Sequence, residues 1–467
     1  MENFRYADIH CHPNLKTFGH SFDKRLNSKS DMWYRQLPTF LTEKIHQLTG
    51  LTKFSQTSFT NIAAANGKIV FLSLYPFEKG FFINPKIKPS IVAILANWAI
   101  EIGYRRIRYL QKHTDYFQDL QNEYQFVLDS QQQHSLDGIT HRWQLTDSLQ
   151  DVKTILEQEN SIAVIITIEG AHVFNTGLGG FGKRLDEEEI LSNVYKVKKW
   201  KYRPLFIGLA HNFNNDLCGH ARSLQRLGNL VDQGENLNSG ISKLGIKVIR
   251  ALLNNSDGRS IYIDLKHMSL RSRGEYMQLL KTEYENRKIP LVVSHGSVTG
   301  LSIKGNTIDS GCYDIFNEND LNFYNEEIVA IAISNGLFAL QMDIGNNADS
   351  NKLKRNMPKI ANETPLRRSS RIIWNQLKHI ALVLDNSGLF AWGTTAIGSD
   401  YDGSINPFPG ILSAESFRLM ANELVLLAED FLKSNILRLD ENKRLPAEQI
   451  IDLFLFGNTE SFLKIHY

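Results

Sequence analysis

Eight short apolar runs set the strongest limit on how this chain folds. Each closes on a polar or glycine-bearing end, and helix-period segments fall between them. The runs are FRYADIHCH (4–12), KIVFLSLYPF (68–77), SIAVIITIEG (161–170), PLFIGLAHN (204–212), SIYIDLKHM (260–268), IPLVVSHGS (289–297), GLFALQMD (336–343) and TTAIGSDYDG (394–403). They are continuous in Val, Ile, Leu and Phe rather than alternating, the pattern of strands buried on both faces of a parallel sheet. In DEEEILSNVYKVKKW (186–200), Ile190, Val194, Val197 and Trp200 share one stripe. Acids lead that segment and lysines close it, which suits the helix dipole. DSLQDVKTILEQEN (147–160) opens on Asp147, a cap-like residue.

Eight strands alternating with helices predict an α/β fold, a (β/α)8 TIM-type barrel. A chain of 467 residues fits one such barrel as a single domain, 1–467, when its rim carries insertions. Roughly 80 residues separate the second and third runs and roughly 50 the seventh and eighth, which places insertions at 78–146 and 343–378.

Composition excludes several classes of partner. The net charge is +2, from 52 basic and 50 acidic residues, so no field favours nucleic acid or an anionic membrane. Cys11, Cys218 and Cys312 show no paired spacing and fit a reducing compartment. The first residues hold no basic stretch ahead of an apolar run, and no apolar run is long enough for a membrane span. The expectation is a cytoplasmic, soluble protein.

The chemistry-bearing residues sit at the ends of the runs. His10 and His12 end the first, and residues two apart on a strand face one side. Glu169 ends the third, His211 the fourth, His267 the fifth, His295 the sixth and Asp400 the eighth. In a barrel these ends open onto one face, where active sites are built. The chain has 14 histidines, and five of them stand at these ends, which a random scatter would not produce.

Each residue alone has a plain reading. His10 and His12 suit a polar strand edge, and Glu169 suits a helix start satisfied by backbone N–H groups. His211 suits an Asn-rich turn, His267 and His295 suit core histidines, and Asp400 and Asp402 suit Asx turns. Taken together on one rim, they favour a metal site. Imidazoles and carboxylates suit Zn²⁺ and its neighbours. Four histidines exceed the need of one open catalytic zinc, and a glutamate can bridge two ions. Two metals about 3.5–4 Å apart could share a hydroxide and polarise a carbonyl. A carboxylate at the eighth strand could move the proton.

The set resembles the renal (membrane) dipeptidase family of metallopeptidases, within the amidohydrolase superfamily. ADIHCHP resembles its opening metal motif and IEGAH its bridging-glutamate motif. GLAHNFNN, VVSHGS and IGSDYDG are similar to its fourth-, sixth- and eighth-strand motifs. NLNSGISKLGIKVIRALLNN leading into IYIDLKHMS, and LPAEQIIDLFLFGNTESFL near the end, extend the resemblance over nearly the whole chain. It implies a binuclear zinc barrel that hydrolyses dipeptides. His10 and His12 would bind one ion, His267 and His295 the other, with Glu169 bridging. His211 would meet the substrate carbonyl, and Asp400 would be the general acid/base.

Two departures stand out. The family's first motif is His-x-Asp, and here it is His-x-His. Where the family carries an arginine for the substrate carboxylate, TGLSIKGNTIDSG offers only Lys304 as a cation. The expected function is therefore hydrolysis of an amide bond in dipeptides or related small N-acyl compounds, through a metal-bridging hydroxide. Two divalent ions, zinc by expectation, serve as cofactors, and a homodimer is the candidate assembly. Another amidohydrolase activity (deacylase, lactonase or phosphoesterase) and a catalytically silent, ligand-binding barrel stay open as alternatives.

Overall fold

The structure is a computed structural model that describes residues 4–224, 231–308, 314–403 and 405–467. Cys312 lies outside the described residues. Among the described residues, ten strands follow one another: β1 (Tyr6–Cys11), β2 (Gly67–Leu74), β3 (Gln133–Leu136), β4 (Ile139–Leu145), β5 (Ser161–Ile168), β6 (Phe206–Gly208), β7 (Tyr262–Asp264), β8 (Val292–Gly296), β9 (Leu337–Leu340) and β10 (Thr395–Ile397). Eight of them, all but β3 and β4, form a parallel ring in the order β2, β1, β10, β9, β8, β7, β6, β5. Pairing of β2 with β5, from Ile69 opposite Ala163 to Leu74 opposite Ile168, closes the ring. Helices fill the connections, so the fold is the (β/α)8 barrel that the apolar runs predict.

The runs are buried on both faces, as their composition demands. Every residue of β5, SIAVIITI, is buried, and each fully buried Ile or Val is worth roughly 1.5–3 kcal/mol. On the helix Glu187–Lys198, Ile190, Val194 and Val197 are buried, and the Asp186 carboxylate accepts N–H bonds from Glu188 and Glu189. Trp200 lies just past that helix and stacks on Tyr124, with ring centroids 3.9 Å apart. The next N-cap differs from expectation. Ser148, not Asp147, caps the helix Leu149–Leu156. Asp147 instead accepts from the Arg203 N–H.

The long segment after β2 holds more than helices. Beyond Pro89–Ile100, Tyr104–Lys112 and Tyr116–Asp129 it contains the β3–β4 hairpin. Asp137 (φ +50°) and Gly138 (φ +78°) make its two-residue turn, a strong Asp-Gly hairpin signal. β4 runs parallel to the first half of β5, with Arg142 opposite Ser161 and Leu145 opposite Val164. β6 takes only the far end, at Ile168. The helix Tyr116–Asp129 buries Phe117, Leu120, Tyr124 and Val127 against the barrel. The segment after β9 leads through Ile344–Asn347 and Ser350–Asn356 into the 22-residue helix Pro365–Asn386. Among the described residues, no helix is long and apolar enough to cross a membrane.

That long helix holds His379, which is 1% exposed. Its Nε2 meets Asn325 Oδ1 at 2.8 Å, and its ring packs on Phe316. Burial pushes its pKa from 6.5 down to about 4. A lowered histidine pKa means the unfolded chain takes the proton first as pH falls below 6.5, so acid destabilises the fold through this group. Between pH 7 and pH 5 the native protein should lose about 2 kcal/mol more stability than a His379→Gln variant. Denaturant midpoints at the two pH values measure this, and equal losses would contradict it.

Candidate metal centre

Along β1 and the residue just past it, Asp8, His10 and His12 alternate with Ile9 and Cys11. Ile9 and Cys11 pack into the apolar core, while His10 and His12 are each 1% exposed among polar groups. Glu169 follows β5. Behind it, Gly170 has φ +93°, and a Cβ there would come within 2.4 Å of His172 Nδ1, so only glycine turns the chain at this point. His211 follows β6, His267 follows β7, His295 belongs to β8 and Asp400 follows β10. His267 (φ +65°) and Asp400 (φ +59°) both adopt the left-handed conformation, uncommon for side-chain-bearing residues and concentrated at functional sites.

The barrel brings all seven together. From Glu169, the nearest imidazole Nε2 atoms lie at 3.2 Å (His12), 3.4 Å (His211), 3.5 Å (His10), 3.5 Å (His267) and 3.6 Å (His295). Asp400 Oδ1 is 3.4 Å from His12 Nε2 and 3.7 Å from His10 Nε2. Two sets of ligand atoms result. His10, His12, Glu169 and Asp400 form one; Glu169, His267 and His295 form the other, and Glu169 belongs to both.

The donor set fits metal ions. Both ring nitrogens of His10, His12 and His267, and Nε2 of His295, are buried without a hydrogen-bond partner. Buried polar atoms rarely remain so. Ligands about 2.1 Å from a tetrahedral ion stand about 3.4 Å from one another, which is the spacing found here. Asp400, read from the sequence as the proton carrier, therefore also stands among the possible ligands.

Electrostatics point the same way. Burial opposes ionisation of Glu169, but the charges of His211 and His10 and the imidazoles around it hold its pKa well below the carboxylate range. Burial would lower the His12 pKa, yet Asp400 and Glu169 outweigh it and push it up to about 10. A proton there sits where the carboxylates call for positive charge. Burial, with His211 nearby, pushes His267 down to about 3, which leaves a neutral imidazole with a free lone pair.

A second layer orients these groups. Asp264 accepts from Ser294 N at 2.9 Å and from Ser294 Oγ at 2.6 Å. Ser294 Oγ lies 2.8 Å from His295 Nδ1. With its proton given to Asp264, that hydroxyl accepts from Nδ1–H and leaves the Nε2 lone pair facing Glu169. Asp8 repeats the device across the ring, accepting from Ser399 N, Ser399 Oγ and His10 N.

Three nearby residues escaped the sequence reading. Glu78 Oε2 is 2.6 Å from His211 Nδ1, and Glu78 Oε1 accepts from Phe213 N. The second apolar run ends one residue short of Glu78, which was the available signal. Gln341 Nε2 donates to Asp400 Oδ2 at 2.8 Å, and Lys266 is buried beside His267. Lys304, expected near the substrate, instead lies in an exposed turn closed by a bridge between Leu301 and Thr307. Asp402 is no simple local turn residue. Its carboxylate takes Gln56 N, Thr57 N and Lys16 Nζ, tying the rim to a distant loop. A cavity of about 720 Å³ lies beyond His12 and Asp402, with Lys16, Lys53 and Trp98 in its wall.

No protein-family profile and no curated protein matches the sequence. Solved structures do. A metallo peptidase from Rhodobacter sphaeroides, liganded with a phosphinate mimic of the dipeptide L-Ala-D-Ala, superimposes with a TM-score of 0.50 at 11% identity, covering 99% of each chain. The probable dipeptidase PvdM from Pseudomonas aeruginosa gives a TM-score of 0.50 at 14% identity, covering 98% of this chain and 94% of its own. The fold is shared. At such identities the match speaks for the barrel architecture end to end, and the chemistry rests on the residues above.

If Ser294 sets the His295 tautomer, Ser294→Ala should weaken metal binding about 10- to 100-fold while the chain stays folded. Chelator competition measures this, and wild-type affinity in a folded variant would remove Ser294 from that role.

Proposed function

We propose that this protein is a metal-dependent hydrolase that cleaves an amide bond in dipeptides or related small N-acyl compounds. In this reading it belongs with the renal dipeptidase-like metallopeptidases, as a single barrel domain whose segments 78–146 and 343–378 shape the rim. The carrying observation is one buried carboxylate, Glu169, shared between two sets of imidazole ligands. Two divalent ions, zinc by preference, would be held there, by His10 and His12 on one side and His267 and His295 on the other. When bound, such a pair supplies a strong nucleophile at neutral pH and polarises the scissile carbonyl. The dipeptide mimic in the Rhodobacter structure supports a substrate of this size.

The chain's own residues do the rest. Asp400, steadied by Gln341, takes the proton from the attacking water and returns it to the departing amine. His211 presents Nε2 to the carbonyl oxygen as charge develops there. Glu78, on the other ring nitrogen, keeps that imidazole turned correctly and offsets its charge.

Purified protein should carry up to two divalent ions per chain by elemental analysis, and the loaded protein should cleave members of a dipeptide panel that includes D-residues. Hydrolysis of a phosphodiester alone would sink the peptidase reading. Asp400→Asn should lower kcat by about 10²- to 10⁴-fold. Glu78→Gln should lower it about 10- to 100-fold with metal content retained. Steady-state kinetics beside metal analysis checks both, and wild-type kcat in either variant contradicts its role.

A further inference from the structure

The helix Pro89–Ile100 turns apolar side chains outward. Its sequence, PSIVAILANWAI, holds no charged residue, and only Ala93 is buried. Ile91, Ile94, Leu95 and Trp98 are each 46–59% exposed. Their spacing, i, i+3, i+4 and i+7, sets them on one stripe. On the other side, Ala93, Ala96 and Ile100 pack into the small core that holds Leu15, Phe82 and Ile107. A helix that is apolar all round is normally buried, yet one side of this helix is open. Among the described residues, nearly half of the exposed large apolar side chains fall between Leu37 and Tyr104. Leu48, Phe40 and Leu41, on the helix Phe40–Thr49, are the most open of them.

Basic residues surround the stripe on Pro89–Ile100. Lys53 Nζ stands 5.0 Å from the Trp98 ring centroid and 3.6 Å from Glu101, the acid at the helix end. Arg25 and Arg105 share the Asp23 carboxylate. The His20 ring nitrogens meet the carbonyls of Lys29 and Glu101, which ties these segments together. Lys86 and Lys88 are exposed just ahead of the helix. Residues 23–53 and 79–112 hold 13 of the chain's 52 basic residues and 4 of its 50 acidic ones, which leaves 39 and 46 for the rest. The small net charge therefore conceals a strongly positive region on an otherwise acidic chain. That region carries the outward apolar side chains.

Two copies of this chain meeting about a twofold axis would set the positive region against itself, which opposes a symmetric dimer there. A bilayer asks for no fixed shape from its partner, only apolar side chains ringed by cations. Twelve residues make a helix about 18 Å long, too short to cross a bilayer but suited to lying in its interface. We propose that this region is a docking surface for an anionic lipid bilayer. Ile91, Leu95 and Trp98 enter the acyl boundary, and Lys86, Lys88 and Arg105 meet the headgroup phosphates. An indole favours that boundary because its ring is apolar and its N–H polar. Ile94 and Trp98 also line the cavity beyond His12, so docking holds the edge of that cavity at the lipid interface. The proposal does not depend on the amide-hydrolase reading.

The test floats full-length protein with vesicles of phosphatidylcholine, alone or mixed with phosphatidylglycerol. Wild type should float with the anionic vesicles, and less so as salt rises. Ile91→Gln with Leu95→Gln, neither of which lines the cavity, should lower the partition coefficient about 30-fold. Lys86→Gln with Lys88→Gln should lower it about tenfold. Circular dichroism and thermal melts check that the variants fold, and Leu95→Gln alone replaces the apolar pair if that pair does not. Phospholipid with brominated acyl chains should quench tryptophan emission in wild type far more than in Trp98→Phe, a signal that adsorption by charge alone does not give. Folded wild type that stays off anionic vesicles overturns the proposal, as does full binding by the folded apolar variant. If wild type ignores vesicles and the apolar substitutions instead split a dimer seen by ultracentrifugation, a second copy covers this face. Binding to polyglutamate as tight as to anionic vesicles, without bromine quenching, rejects the bilayer in favour of an acidic protein.

Discussion

Glu169 is a carboxylate in a place that water barely reaches, 6% exposed, with five imidazoles closing on it. An ionised group stripped of water must find opposite charge or take up a proton. Here the surrounding rings hold it ionised, yet burial leaves His267 and His295 as neutral imidazoles. A cluster of ionised carboxylates and unpartnered lone pairs is satisfied by cations in a way that protons alone cannot match. Most other features of the rim follow from keeping those groups apart, oriented and dry.

The supporting layer shows how the barrel manages this. Asp8 lies on β1 and meets Ser399 just past β10; Asp264 ends β7 and meets Ser294 on β8. In each pair a buried carboxylate reaches the neighbouring strand and accepts both a backbone N–H and a hydroxyl. The bonds that stitch adjacent strand ends also orient candidate ligands, His10 through its own N–H and His295 through Ser294. Ring closure and site geometry are therefore one set of contacts, and a change that loosens one loosens the other. Glu78 extends the pattern from the end of β2 to His211. Charged groups thus reach the cluster from several strands, none of them able to assemble it alone.

Much of this was legible in the chain before any coordinates. The apolar runs mark the eight ring strands because a strand covered on both faces must be apolar throughout. The polar residues closing those runs mark the rim because a parallel barrel aligns all carboxyl ends. The β3–β4 hairpin was missed although its Asp-Gly turn was in view, since the alternation of its strands is weak and most of β3 lies partly exposed. The cap of the helix Leu149–Leu156 moved one residue because Asp147 is drawn away by Arg203 and Arg259 from distant segments. Lys304 was chosen for its nearness in sequence to His295, and the turn that carries it points the charge toward solvent.

Local sequence was enough to specify which segments become strands, which of their ends carry imidazole and carboxylate groups, and the type of ion those groups would suit. Periodicity, burial and donor chemistry are properties of short stretches and survive without knowledge of their neighbours. The chain order alone could not say that Glu78 would lock His211, that Gln341 would link Lys266 to Asp400, or that Asp402 would reach back to Gln56 and Thr57. Those partners lie tens to hundreds of residues apart. Their meeting depends on how a closed, twisted ring sets the register of one strand end against the next.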